Sequence, residues 1–150
     1  MGDVLTKSAA RNIFFGGSIF FFVLFAGLVA QTHLYAKSTS ADDASLTPAV
    51  ERGKRVWEKH ACIDCHTLLG EGAYFAPEVG NVFLRYGGDK DPQGARDAIK
   101  GWILSQPSGT PGRRQMPNFH LTDQELDDLT AFLEWVSHIK NNNWPPNKAG

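Results

Sequence analysis

The stretch Cys62-Ile63-Asp64-Cys65-His66 decides how this chain is read. Two cysteines three positions apart, with a histidine directly after them, form the attachment pattern of a covalent haem c. The spacing has a chemical reason. Each thiol can form a thioether with one vinyl group on the same porphyrin edge, and the adjacent histidine then lies under the iron. The chain holds 2 cysteines in all, both in this one short motif. A redox disulfide needs a thioredoxin-like βαβ setting, which the sequence lacks. A structural zinc site needs about four N or S ligands, and there is no second cysteine pair.

Haem iron bound by His66 needs a sixth ligand. Met116 is the only methionine besides Met1, and paired Met and His ligation is a cytochrome c pattern. It stands in Gln115-Met116-Pro117-Asn118, after a Ser-Gly-Pro stretch and before a capped helix. Such a loop can cross the far face of a haem, and Pro117 stiffens its approach. The plain alternative is a gap-filling methionine; His120 is the rival ligand, with His60 and His138 behind it. With both axial positions filled, the iron has no open place for a substrate. The chain alone is then expected to transfer electrons and catalyse nothing. A gas-sensing haem would require an open or labile sixth position.

Around this site the pattern is helical. Thr47 can cap a helix with Pro48 at its first position, placing Val50, Gly53, Val56 and Trp57 on one face. Asp91-Pro92 marks a second start, followed by Ala95, Ala98, Ile99, Trp102 and Ile103 at helical spacing. Thr122 and Glu125 form a capping box, and the helix after it carries an apolar stripe of Leu126, Leu129, Phe132, Leu133 and Val136. Trp57, Trp102 and Trp135 fit helix faces and are expected in the core. No segment alternates with period two for long. Long loops are expected at 68–80 and 105–119. So thin a core gains from a large apolar centre such as a haem.

Towards the N-terminus, residues 12–36 carry no charge, and IFFGGSIFFFVLFAGLVA (13–30) is almost wholly apolar. At ~1.5 Å per residue this run approaches the ~30 Å hydrocarbon core of a bilayer. Its glycines are tolerated in lipid. Lys7 and Arg11 precede the span, which points to a cytoplasmic N-terminus and a translocated C-terminal part, although Lys37 stands on the far side. A cleaved signal peptide shares the basic start and apolar core. The run is long for that, and Leu28-Val29-Ala30 is a poor cleavage site. The organisation expected is a cytoplasmic N-terminus at 1–11, a transmembrane anchor at 12–36, a polar linker at 37–46 and a periplasmic domain at 47–150. The net charge of -1 gives no global basic field for nucleic acid.

The segments CHTLLGEGAYFAPEVGNV (65–82) and MPNFHLTDQELDDLTAFLEWVSHIKNNNWPPNK (116–148) resemble the small cytochrome c subunit of bacterial respiratory nitric oxide reductase. The resemblance covers essentially the whole chain. The haem motif is generic to c-type cytochromes, whereas GEGAYFAPE and NNNWPPN are more specific. It implies a mainly α fold: one N-terminal transmembrane helix and a class I cytochrome c-like domain around one covalent haem. It implies Cys62 and Cys65 as thioether attachments, His66 as proximal ligand and Met116 as distal ligand. It implies a location in the bacterial inner membrane. It also implies electrons passing from a periplasmic cytochrome c or cupredoxin to a large, multi-helix, haem b-containing catalytic partner, which reduces two NO to N2O at a haem b3–iron centre in denitrification. The loop after the haem motif would face that partner, and backbone oxygens of Gly72 and Tyr74 would contribute to a calcium ion between the two. Alternatives of related chemistry are a monohaem component of a haem-copper oxygen reductase and a free membrane-tethered shuttle. The linker of ten or so residues spans at most ~35 Å, which suits a fixed dock better than a shuttle.

Three further features have two readings each. Glu71, Tyr74, Phe75 and Glu78 form either a docking loop or an ordinary loop over a haem edge. Arg52, Lys54, Arg55 and Lys59 make one helix basic, and Asp123, Glu125, Asp127 and Asp128 make another acidic. Either could steer a redox partner, but solvated helix faces are the stronger reading. Trp144-Pro145-Pro146 reads as an extended tail that packs on something, a partner included.

Overall fold

The computed structural model describes residues 5–39, 45–141, 144 and 145. The chain divides into two compact units, Met1–Thr39 and Ser40–Gly150.

Among the described residues the first unit holds one helix, α1 (Lys7–Thr39). The Thr6 hydroxyl accepts the Ala9 N–H at 3.2 Å and so caps its start. The helix begins before and ends after the 12–36 span expected from the apolar run, because Lys7-Ser8-Ala9-Ala10-Arg11 is also compatible with helix. Residues 37–39, expected to open the linker, are helical too, and residues 40–44 lie outside the described residues. Phe14, Phe15, Phe20, Phe22 and Leu34 are all exposed. A helix apolar on every side suits lipid or a protein interior, and α1 is long and apolar enough to cross a membrane. It is compatible with a membrane anchor.

The second unit is mainly helical. Its elements are α2 (Pro48–Lys59), β1 (Thr67–Leu68), β2 (Glu71–Gly72), α3 (Val82–Arg85), α4 (Pro92–Leu104) and α5 (Asp123–Ser137). The local signals act as their chemistry dictates. Thr47 accepts from Val50 N and Asp91 from Gly94 N, each with proline in the first turn. Thr122 and Glu125 close both halves of the capping box. The core joins Val50, Val56 and Trp57 of α2 to Ile99 and Ile103 of α4 and to Leu126, Leu129, Phe132, Leu133 and Val136 of α5. The helices α2 and α5 cross closely at Gly53. A Cβ there would lie 1.9 Å from the Asp128 carbonyl oxygen and 2.7 Å from Phe132 Cβ.

Two elements escape a periodicity reading because they are so short. One is α3. The other is the antiparallel hairpin β1–β2, which pairs Thr67 with Gly72 and Leu68 with Glu71. Its turn, Leu69-Gly70, has φ of +55° and +88°, the left-handed pair that a two-residue hairpin turn demands.

The steering patches resolve into pairs within the domain. Arg52 grips Asp128 through two hydrogen bonds of 2.8 Å. Lys59 meets Glu125 at 2.7 Å, and Lys100 meets Asp127. Two of the four basic residues, Arg52 and Lys59, thus pair with acids of the other helix, so the two faces partly neutralise each other. Trp57 is buried as expected and Trp135 half-buried, but Trp102 is 53% exposed. Its helix turns it to the rim of a cleft instead of into the core.

Candidate functional site

The α2 helix ends at His60, and Ala61 takes a left-handed φ of +49°. That bend starts a tight 3-10 turn over Cys62–Asp64. The Cys62 carbonyl accepts from both Cys65 N (3.2 Å) and His66 N (2.9 Å), winding the motif into one compact turn. The chain then folds back along the motif: Ala73 N donates to Ile63 O, and Phe75 N and Ala76 N both donate to Cys65 O. The glycine at 72 is required here. Its φ is +121°, and a Cβ would lie 2.4 Å from the His66 carbonyl oxygen.

This return brings the Pro77 carbonyl to 2.8 Å from His66 Nδ1. A proline carbonyl can only accept, so Nδ1 carries a proton, and in the neutral ring the lone pair is then on Nε2. Cys62 and Cys65 are not joined by a disulfide. Burial pushes the Cys62 thiol up to about 11, which marks the apolar surroundings of its sulfur.

Two adjoining hollows share Cys62, His66, Pro77 and Met116. One, of about 210 Å³, is walled by Trp57, Val79, Val82, Ile99, Ile103, Leu129 and Leu133, with Arg85, Tyr86 and Trp102 at its edge. The other, of about 430 Å³, lies among Cys65, Phe75, Arg114, Pro117, His60 and Phe119. Met116, half-buried, lines both. Of the rival ligands, only His60 lines either hollow; its Nε2 is buried without a partner, and its ring meets Phe119 edge-on. His120 is exposed on the loop, and His138 binds the Glu134 carbonyl through Nδ1.

Two residues have roles that sequence reasoning did not reach. Glu78, expected on a docking loop, is 5% exposed. Its Oε1 accepts from Leu69 N (2.8 Å) and Gly80 N (2.7 Å), and its Oε2 from Gly70 N and Trp144 Nε1, both at 3.0 Å. Burial works against its charge. The bonds from Trp144, Gly70, Gly80 and Thr67 outweigh that and hold the carboxyl below its ordinary range. Trp144 therefore packs on this chain's own loop; Pro146 lies outside the described residues. The available signal was an acid late in a largely apolar loop that runs from Gly70 to Gly80. Tyr74 of the same loop is 77% exposed. Among the described residues no cluster of three or more His, Cys, Asp or Glu could hold a metal ion.

A family model described as Cytochrome c matches residues 50–137. Along its full length, and along theirs, the chain is 55% identical to the nitric oxide reductase C subunits of Paracoccus denitrificans and of Halomonas halodenitrificans. It is 51% identical to the C subunit of the Stutzerimonas stutzeri enzyme, again over the whole of both chains. The chain belongs to the family of nitric oxide reductase C subunits and carries a cytochrome c domain. Such a domain implies covalent haem c, and the residues of this one fit it. The two adjoining hollows are lined between them by both cysteines, by a histidine engaged through its Nδ1, and by a thioether sulfur. Every donor is of the type that haem c ligation uses.

Proposed function

We propose that this chain is the membrane-anchored, monohaem electron-transfer subunit of a nitric oxide reductase, non-catalytic by itself. The observation that carries the reading is the cleft where Cys62, His66 and Met116 meet, in a chain related over its whole length to C subunits of that enzyme. Cys62 and Cys65 would hold the haem by thioethers, His66 Nε2 would be the proximal ligand and the Met116 thioether the distal one. When bound, the haem supplies a one-electron couple. The protein's part is to orient and tune. The Pro77 carbonyl holds the His66 ring by its Nδ1–H. The aliphatic walls exclude water and disfavour the extra charge of the oxidised state. As a ligand Met116 would favour the reduced state and would leave no place for NO on this chain.

The electrons would come from a periplasmic cytochrome c or cupredoxin and leave for haem b of the large catalytic subunit. Lys7 and Arg11 support a cytoplasmic N-terminus and a periplasmic haem domain in the inner membrane. Backbone oxygens at Gly72 and Tyr74 would contribute to an interfacial calcium ion. Calcium takes about 6–8 oxygens, so the catalytic subunit would have to supply most of them. Both residues are exposed, which supports that arrangement.

The test is to solubilise membranes in mild detergent, recover the tagged chain, and follow NO and oxygen consumption with a reduced donor. Co-recovery of a large haem b protein with NO turnover is the expected result. A red protein that emerges alone and consumes neither gas, or one that consumes oxygen with copper present, would overturn the assignment.

A further inference from the structure

The Pro77 carbonyl that binds His66 belongs to the same peptide unit as the Glu78 nitrogen, so whatever fixes Glu78 fixes the acceptor of the histidine proton. Glu78 is fixed from several sides. Its carboxylate gathers the amides of Leu69, Gly70 and Gly80 and the Trp144 indole, and its own carbonyl accepts from Arg85 Nη1 at 3.1 Å. The indole comes from the far end of the chain. The Asn141 side chain donates to the Trp144 carbonyl at 2.8 Å, and Trp144 N donates to the Asn141 carbonyl at 3.2 Å, holding the indole in a turn. Glycine at 80 makes room for the carboxylate, and Gly70 takes a φ of +88° beneath the indole. A Cβ on Gly70 would touch the Trp144 ring at 3.4 Å, and one on Gly80 would lie 2.7 Å from Glu78 Oε1.

We propose that Glu78 and Trp144 form a latch that positions the Pro77 carbonyl on His66 Nδ1 and so sets how strongly the imidazole donates to the haem iron. They are positioning residues that act through His66, and the inference rests on His66 being an axial ligand. A ligating histidine is made more basic by a firm acceptor on its other nitrogen, and such outer partners orient the ring as well. A stronger donor favours the oxidised iron. Opening the latch lets the Pro77 carbonyl drift, weakens the donor and favours the reduced iron.

The experiment uses the full-length, haem-loaded complex in detergent. Trp144→Phe keeps an aromatic ring over Gly70 and removes only the N–H. Trp135→Phe removes the remote indole bond to Ser45 and serves as control. Redox titration of the haem c band and the low-spin ferric EPR signal are both read, with the thermal midpoint alongside. The expected result is an upward shift in midpoint potential and a changed EPR signal for Trp144→Phe, with neither in Trp135→Phe. Glu78→Gln, where it folds, should shift both readouts in the same direction and further. A Trp144→Phe protein that loses thermal stability but keeps the parental potential and EPR signal would overturn the latch as a tuning device. A parent whose haemochrome spectrum is not c-type would overturn the haem reading and the latch's role with it.

Discussion

Met116 reaches the cleft from a stretch without regular structure, yet it touches both hollows that meet at His66. No other thioether is available among the residues that line them. Met116→Ala should therefore leave the covalent haem in place and open its sixth position. The expected outcome is a lower midpoint potential, loss of the Met-ligated ferric spectrum, and new binding of carbon monoxide or NO by the reduced protein, all visible by optical titration. A variant with the parental spectrum would assign the position to another residue, and His60, with its unpartnered Nε2, would be the first to examine. At this scale the candidate residues that line the two hollows could be picked out from sequence because they are rare types, the cysteines and His66 at a chemically dictated spacing. Glu78 and Trp144 were not. Three backbone amides and an indole converge on one carboxylate only after the loop has folded, and no local pattern announces that.

Where α2 meets α5, the structure depends on an approach so close that only glycine fits. Gly53→Ala puts a methyl against the Asp128 backbone and Phe132. Neither is the end of a flexible side chain, so the helices must separate. A loss of about 3 kcal/mol is expected, at the upper end for overpacking, read as a lowered denaturant midpoint of the haem-loaded protein. The same crossing carries an acid sensitivity. Lys59, with the Thr122 amide and hydroxyl, holds Glu125 down from 4.5 to about 2. Arg52, helped by Gln124, holds Asp128 below its ordinary 3.8. A depressed carboxylate contributes stability above its unfolded pKa and loses it as pH falls through the folded one. Thermal midpoints should thus stay level down to about pH 4.5 and decline from there towards 2. Glu125→Gln should melt earlier at neutral pH and show a shallower acid decline; an unchanged decline would remove Glu125 from the account. The caps at Thr47, Asp91 and Thr122 could be read beforehand because each is a contact between near neighbours in sequence. The charge pairing could not, since Arg52 and Asp128 are far apart along the chain and each alone looks like part of a solvated face.

The whole chain is two units of opposite character, one holding the apolar helix α1 (Lys7–Thr39) and the other, Ser40–Gly150, a domain with its own core. The core residues and those lining the cleft all lie within the second unit. Folding and redox behaviour are therefore expected to belong to the domain, and partition into lipid to α1. A chain starting at Ser40, exported behind a cleavable signal so that haem can be attached, should appear in the soluble fraction. Its absorption spectrum and midpoint potential should match those of the full-length chain, while its NO turnover with the catalytic partner falls. Anchoring raises local concentration at a partner in the same membrane, so added excess of the free domain should restore part of the lost rate. Full turnover without excess would mean that the dock alone holds the complex together. A truncated domain with an altered potential would mean that α1 shapes the haem environment as well as tethering it.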